Sequence, residues 1–389
     1  MQPTGVLETS KATNPLKALL GYGQSMWLDY IRRDLLTSDQ LKTMIEEDGL
    51  RGMTSNPSIF EKAIADSSLY DDILKSLASR NDLDTTGRYE QIAIRDIQGA
   101  ADILRPVYES SQFKDGYVSL EVSPLLAMKT QETIDEGRRL WKTVNRENVM
   151  IKVPGTAEGL PAIRQLISEG INVNVTLLFA QEVYEKVAEA YILGVEDLAK
   201  RGGNLKKMAG VASFFISRID SLVDSMIDDK LKTADAAQQT LLKSLKGKVA
   251  IANGKLTYQR YQKIFSGPRW EALASKGAQT QRVLWASTST KNPAYRDVMY
   301  IEELIGPDTV NTMPPATIDA FRNHGKLRNS LTEDVAGAQK VMDDLAKAGI
   351  AISEVTTKLT NDGVKLFADA FHKLLAVVEK STQTKGKTA

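Results

Sequence analysis

Residues 148–179 decide the fold; their sequence is NVMIKVPGTAEGLPAIRQLISEGINVNVTLLF. The apolar runs at each end, 148–153 and 172–179, are short and rich in β-branched residues, as is typical of buried strands. The segment between them carries apolar residues at helical spacing, namely Leu160, Ile163, Leu166 and Ile167. A strand, a helix and a second strand in this order predict a parallel βαβ unit.

The same alternation runs through the whole chain. Similar β-rich runs bring the total to eight, at residues 24–30, 49–54, 116–122, 148–153, 172–179, 208–214, 282–286 and 308–312. Amphipathic segments such as residues 183–199 separate them. Eight repeats of strand and helix predict an α/β fold of the (β/α)8 TIM barrel type.

Two connections, after the second and the sixth strand, are unusually long at roughly 55–75 residues each. Apolar periodicity persists through residues 89–108 and 241–265, which predicts inserted helices rather than a second domain. Residues 353–379 predict a long C-terminal helix. We therefore expect one domain over residues 1–389, with an ordered core at about 15–380 and a flexible polar tail at 381–389.

Composition excludes several classes of chemistry. The chain of 389 residues has a net charge of +1, which gives no general reason to bind nucleic acid or an anionic membrane. It has no cysteine and two histidines, so we expect no metal and no thiolate or Ser-His chemistry. The start of the sequence does not resemble a secretory signal, and no apolar run approaches the ~18–20 residues of a membrane span. These features predict a cytoplasmic protein.

Polar groups at the ends of the predicted strands mark the candidate site, because βα loops carry the chemistry of such barrels. Lys152 lies in an apolar strand, and burial lowers the pKa of an amine. A neutral amine in a pocket can attack a carbonyl and form a Schiff base. Asp29 and Glu121, at the ends of two other strands, are candidate acid/base groups. The alternative is that Lys152 only pairs with Glu121 to fill space.

Neutral polar residues suit the hydroxyl groups of a sugar. Asn174 and Thr176 share one face of the fifth strand, and Asn56 follows the second strand. A buried hydrogen-bond network is the alternative interpretation of this stripe. Arg218, Ser287 and Lys291 lie after the sixth and seventh strands and form a candidate phosphate site. An ordinary Ser/Thr-rich cap with a solvated lysine is the alternative, and the chain has no Walker A pattern.

Several motifs, in order, resemble the transaldolase family over roughly residues 15–380. They are MTSNPSIF at 53–60, VSLEV at 118–122, VMIKVPGT at 149–156, GINVNVTLLF at 170–179 and SFFISRID at 213–220. The resemblance, which is to the longer bacterial and plant branch, implies a Schiff-base enzyme of the pentose phosphate pathway without metal or organic cofactor. It implies transfer of a dihydroxyacetone unit from sedoheptulose 7-phosphate to glyceraldehyde 3-phosphate.

The resemblance also implies a role for each matching residue. Lys152 would be the nucleophile, Asp29 would move the proton of the C4 hydroxyl, and Glu121 would act through a water held with Thr176. The substrate-binding set would be Thr54, Asn56, Asn174, Ser213, Phe215, Arg218 and Ser287. Many family members carry an arginine at the position of Ser289, so we expect Lys291 to take that phosphate role as a point charge.

Two other functions stay open from the residues alone. A lyase would use the same Lys152 but release the three-carbon unit, and a non-catalytic barrel would bind sugar phosphates without using Lys152. Sugar phosphates are the expected partners, and nucleic acid and membrane are not. The oligomeric state, monomer or homodimer, is not set by the sequence.

Overall fold

The strands close into a barrel in the order in which they occur in the chain. The structure, a computed structural model, describes residues 14–386. Within that range, eight parallel strands form a closed barrel in which each strand pairs with its sequence neighbours and the last pairs with the first. The strands β1 to β8 are Gln24–Asp29, Leu50–Thr54, Tyr117–Glu121, Val149–Pro154, Val173–Leu178, Gly210–Phe215, Arg282–Ala286 and Thr309–Met313. Each lies within two residues of its predicted position, so the predicted (β/α)8 barrel is confirmed.

Helices fill the connections and cover the barrel. In the described residues the α-helices α1 to α17 are Pro15–Ala18, Arg33–Thr37, Gln40–Glu47, Pro57–Ala65, Asp71–Ala78, Thr85–Ser110, Thr130–Val144, Gly159–Ser168, Gln181–Lys200, Ser217–Leu231, Ala236–Leu245, Val249–Ile264, Pro268–Ala274, Met299–Glu302, Pro315–His324, Val335–Lys347 and Ile352–Gly386. Short 3-10 helices are Leu19–Tyr22, Pro124–Leu126, Leu205–Lys207 and Ser330–Thr332. Within residues 14–386, no helix is both long and apolar enough to cross a membrane.

The two long connections contain helices, as predicted. Helices α4, α5 and α6 follow β2, and α10 to α13 follow β6. The apolar periodicity of residues 241–265 is interrupted between α11 and α12, where Gly247 has a positive φ of 70°. Such a conformation suits glycine, which has no Cβ, and it ends one helix before the next begins.

The C-terminal helix α17 is longer than the sequence predicts. It continues through residues 381–386, where we expected a polar tail, and residues 387–389 lie outside the described part of the chain. Thr382 is buried in this stretch, and its hydroxyl donates to the Val378 carbonyl at 2.9 Å. Further back along α17, the Phe371 ring lies 5.9 Å from the Tyr89 ring of α6. A Cβ at Gly363 would lie 2.9 Å from Leu177 of β5. The helix therefore packs against the C-terminal end of β5.

A buried ion pair occupies the opposite end of the barrel. Arg282, at the start of β7, donates to the carboxylate of Asp115 at 2.8 Å and to the Ser25 hydroxyl at 2.8 Å. Ser25 in turn donates to Asp115 at 2.8 Å. All three are buried, and each polar group of the pair has a partner. The Arg282–Asp115 pair therefore occupies the N-terminal end of the barrel with its own polar groups satisfied.

We expect Gly52→Ala to destabilise the protein by overpacking the barrel interior. A Cβ at Gly52 would lie 2.5 Å from Cε2 of the buried Trp27 ring, so the ring or the strand has to move. Overpacking of this kind costs about 1–3 kcal/mol. The measurement is the free energy of unfolding in urea. Gly21→Ala is the matched control because a Cβ there meets nothing within 4 Å; equal losses in both variants would contradict the packing argument.

Candidate active site

Lys152 lies inside the barrel near the C-terminal end of β4, and 5% of its surface is exposed. Its Nζ is 3.3 Å from Oε2 of Glu121 and 3.3 Å from the backbone oxygen of Ser55, to which it donates. The ring of Phe367, from α17, has its centroid 5.4 Å from the same nitrogen. The amine therefore has polar partners on one side and an aromatic ring from the far end of the sequence nearby.

Strand register brings Glu121 to Lys152. The two residues are direct partners in the β3–β4 ladder, and alternation directs both side chains into the barrel. Burial raises the pKa of the Glu121 carboxyl, while the Lys152 ammonium favours its charged form and Asp29 opposes it. Oε1 of Glu121 is buried without a hydrogen-bond partner among the described residues. The ion pair that we considered as the space-filling alternative is present, but it leaves one carboxylate oxygen free for chemistry.

Asp29 ends β1 beside the end of β2. Its register partner is Thr54, whose hydroxyl donates to Oδ1 of Asp29 at 2.7 Å. The Thr54 oxygen is also 3.0 Å from the hydroxyl oxygen of Thr312 in β8. The charge of Asp29 raises the pKa of both Glu121 and Arg218. This carboxylate therefore lies within electrostatic range of the Lys152–Glu121 pair and of the candidate phosphate groups.

Asn174 joins three strands through its side-chain amide. Its Nδ2 donates to the Ser119 hydroxyl of β3 at 2.9 Å, and its Oδ1 accepts from the Ser213 hydroxyl of β6 at 2.7 Å. The three side chains are buried, so the buried hydrogen-bond network that we considered as the alternative is present around Asn174. Thr176 differs, because its hydroxyl is fully buried without a partner among the described residues. The next residue, Leu177, has a positive φ of 63°, and the β5–β6 register shifts there.

Asn56 has a structural task that the sequence analysis did not assign to it. It is the N-cap of α4, and its Oδ1 accepts from the backbone nitrogen of Ile59 at 3.1 Å. An N-cap with an extended backbone and Pro at the following position is a strong helix start. The cap uses the side-chain oxygen of Asn56, so the amide nitrogen is the donor that the side chain still offers.

The candidate phosphate groups lie together after β6 and β7. Ser287 has a positive φ of 55°, and its hydroxyl is 2.9 Å from the hydroxyl of Ser217 in the first turn of α10. Arg218 stacks on Phe215 with its guanidinium carbon 5.1 Å from the ring centroid, and its Nη1 is buried without a partner among the described residues. Burial lowers the pKa of Arg218. An anion placed there would give the guanidinium the partner it lacks.

Lys291 lies close enough to Arg218 for the two charges to interact. Partial burial and the Arg218 charge both lower the pKa of Lys291, and Asp29 raises it. Its Nζ donates to the hydroxyl of Ser289 at 2.7 Å. Two cations that repel each other become more stable when a dianion lies between them. This arrangement supports the phosphate role expected for Lys291 from its position two residues beyond Ser289.

Four residues of the site were missed by the sequence analysis: Ser119, Ser217, Thr312 and Phe367. Ser119 lies two residues before Glu121, and strand alternation could have placed it on the same face. Ser217 and Thr312 are polar residues at strand ends like those that were chosen. Phe367 comes from a helix whose docking no local pattern reveals. Within the described residues, no group of three or more His, Asp or Glu side chains could hold a metal ion.

Comparisons with known proteins show similarity over nearly the whole chain. The family model for Transaldolase/Fructose-6-phosphate aldolase matches residues 26–378. A protein named Transaldolase from Trichodesmium erythraeum is 49% identical over 376 residues, covering 95% of this chain and 98% of that protein. Transaldolase 2 from a Nostoc species (strain PCC 7120) is 49% identical over 372 residues, covering 95% and 97%. Transaldolase from Frankia alni is 44% identical over 375 residues, covering 96% and 99%.

The raised pKa of the buried Asp220 carboxyl predicts a stability that depends on pH. Asp220 lies two residues after Arg218, and its buried carboxylate accepts from the Ala250 nitrogen at 2.8 Å and the Tyr300 hydroxyl at 2.9 Å. Burial raises the pKa of Asp220 from 3.8 to about 7. The folded protein therefore holds this proton over a range where the unfolded chain has lost it. Its contribution to stability declines as pH rises from about 4 to 7 and is constant above that.

We expect Asp220→Asn to remove this decline. The wild-type free energy of unfolding, measured in urea and taken relative to the variant, should fall by about 3–5 kcal/mol between pH 4 and pH 8. Asp229→Asn is the matched control, since Asp229 lies on the same helix with its side chain 72% exposed. A flat difference for Asp220→Asn, like that expected for the control, would show that Asp220 does not carry the proton.

Proposed function

We propose the following mechanism for this chain, which belongs to the transaldolase/fructose-6-phosphate aldolase family. Lys152 forms a Schiff base with a ketose phosphate and transfers the three-carbon unit that contains the ketone carbon to an aldehyde. The chain is an enzyme, a transferase with transaldolase activity. The observation that carries the mechanism is the position of the Lys152 amine, buried at the C-terminal end of the barrel between Glu121 and the Ser55 carbonyl. We keep the cytoplasm as its proposed location.

The proposed donor is sedoheptulose 7-phosphate and the proposed acceptor glyceraldehyde 3-phosphate. Transfer of a dihydroxyacetone unit then yields erythrose 4-phosphate and fructose 6-phosphate. Arg218 and Lys291 supply two positive charges for the phosphate, and Ser287 adds a hydroxyl beside them. These groups hold the phosphate while the Lys152 amine bonds the carbonyl carbon. An extended sugar phosphate is therefore fixed in one direction across the barrel mouth.

Imine formation requires proton transfer at the ketose carbonyl. Attack of the Lys152 nitrogen forms a carbinolamine, whose hydroxyl leaves as water after it gains a proton. Glu121 is the proposed acid, because burial raises the pKa of its carboxyl and so favours the proton-carrying form. Its free Oε1 and the free hydroxyl of Thr176 are the groups proposed to hold the water that passes this proton. Hydrolysis of the product imine uses the same groups in reverse.

Carbon–carbon cleavage requires a base at the C4 hydroxyl. Asp29 is proposed to take that proton as the C3–C4 bond breaks, and the bonding electrons move into the iminium to leave an enamine on Lys152. The aldehyde then departs, and Asp29 returns the proton when the enamine attacks the acceptor. Thr54, Asn56, Asn174 and Ser213 are the proposed partners of the hydroxyl groups of the retained unit.

Transfer rather than release depends on how long the enamine stays unprotonated. The family name covers a transferase and an aldolase, and the relatives named above are transaldolases. Phe215 packs on Phe179 at 5.3 Å between ring centroids, and Phe367 lies beside the Lys152 amine. Apolar rings at these positions limit the proton donors near the enamine. Release of the three-carbon unit, as by a lyase, is the competing reaction, and the transfer assay measures it.

We expect Asp29→Asn to slow transfer by about 10²–10⁴-fold, because an amide cannot accept the C4 proton. Fructose 6-phosphate formation from sedoheptulose 7-phosphate and glyceraldehyde 3-phosphate is the measured reaction. Lys152→Arg, which keeps the positive charge but cannot form an imine, should abolish it. Donor cleavage without the acceptor should be much slower than transfer; equal rates would favour the lyase, and full activity of Lys152→Arg would refute the Schiff base.

A further inference from the structure

A line of two hydroxyl groups leads to the carboxylate of Asp29. Thr54 in β2 donates to Oδ1 of Asp29 at 2.7 Å, and the Thr312 hydroxyl of β8 is 3.0 Å from the Thr54 oxygen. Both threonines are buried, with 3% and 4% of their surfaces exposed. Thr312 therefore reaches Asp29 through Thr54, although β8 and β1 are adjacent strands.

Proton counting fixes the direction of this line. An ionised carboxylate only accepts hydrogen bonds, so the single proton of the Thr54 hydroxyl is committed to Asp29. The contact between the two threonines then requires Thr312 to be the donor. The proton order is Thr312 to Thr54 to Asp29. A hydroxyl that accepts one hydrogen bond becomes a better donor in the next, because the bonds polarise each other.

The far end of the line is connected to the candidate phosphate loop. Thr288, the residue after Ser287, is fully buried and donates to Oδ1 of Asn311 at 2.9 Å. The same hydroxyl lies 3.3 Å from the backbone oxygen of Thr312. The loop that follows β7 therefore anchors β8 at Asn311, the residue before Thr312.

We propose that Thr312 is a positioning residue for Asp29. Through Thr54 it stabilises the ionised carboxylate that must accept the C4 proton, and it fixes the direction in which that carboxylate faces. The inference rests on the proposed function, since it needs Asp29 to be the base. Without the Thr312 donor, Thr54 donates a weaker hydrogen bond to Asp29 and holds the carboxylate less firmly toward the C4 hydroxyl, so cleavage should be slower.

The experiment compares Thr312→Val with Thr312→Ser. Valine keeps the branched shape of threonine but has no hydroxyl, whereas serine keeps the hydroxyl and loses a methyl group. Loss of one buried hydrogen bond predicts a kcat for transfer that falls roughly three- to tenfold in Thr312→Val. KM and the extent of reductive trapping of fructose 6-phosphate should stay unchanged, and Thr312→Ser should restore kcat.

The outcomes separate this inference from the proposed function. If Asp29→Asn slows transfer but Thr312→Val keeps the wild-type kcat, Thr312 is not a positioning residue and the proposed function stands. Equal losses of kcat in Thr312→Val and Thr312→Ser, or a loss of reductive trapping, would show that Thr312 supports packing or binding. Either result would also overturn the positioning role of Thr312. If Asp29→Asn is fully active, the base assignment itself fails and the role of Thr312 fails with it.

Discussion

The ion pair between Lys152 and Glu121 is the interaction on which the site depends. Two charges inside the barrel lose most of their hydration, and only their mutual attraction and the surrounding polar groups offset that loss. Removing one partner of such a pair typically costs about 3–5 kcal/mol, because the other is left buried and uncompensated. The hydrogen-bonding capacity of this pair is not fully used. Nζ of Lys152 has two oxygen partners at 3.3 Å, and Oε1 of Glu121 has no partner among the described residues. Because burial raises the pKa of the Glu121 carboxyl, that group can take up the proton that Lys152 must lose before its amine attacks a carbonyl.

The closed barrel makes this arrangement possible. Strand register places Glu121 beside Lys152 and Lys152 beside Asn174, so three consecutive strands present their functional groups in one row. The end of the barrel away from the site is occupied by the Arg282–Asp115 pair, whose polar groups are satisfied. Helix α17 adds Phe367 at the Lys152 amine. Rigid strands thus hold the reacting groups, and a helix from the end of the chain limits access to them.

Periodicity of the sequence was sufficient to predict the barrel. Each strand was a short apolar run bounded by polar segments, and the order of strands followed from local connections. The strand-end rule selected Lys152, Glu121 and Asp29 because polar residues are rare in such runs. The tail was predicted from polarity alone, whereas α17 extends into it and buries Thr382 there. Phe367 and the hydroxyl line through Thr312 depend on contacts between distant segments, which local patterns do not contain.

Reduction of the protein with borohydride in the presence of fructose 6-phosphate tests the central claim most directly. If the buried amine forms the Schiff base, reduction converts the imine to a stable secondary amine, and peptide mass mapping finds the sugar adduct on Lys152 alone with loss of transfer activity. An adduct on a different lysine, such as Lys291 or Lys255, or no adduct in a protein that still catalyses transfer, would contradict the account.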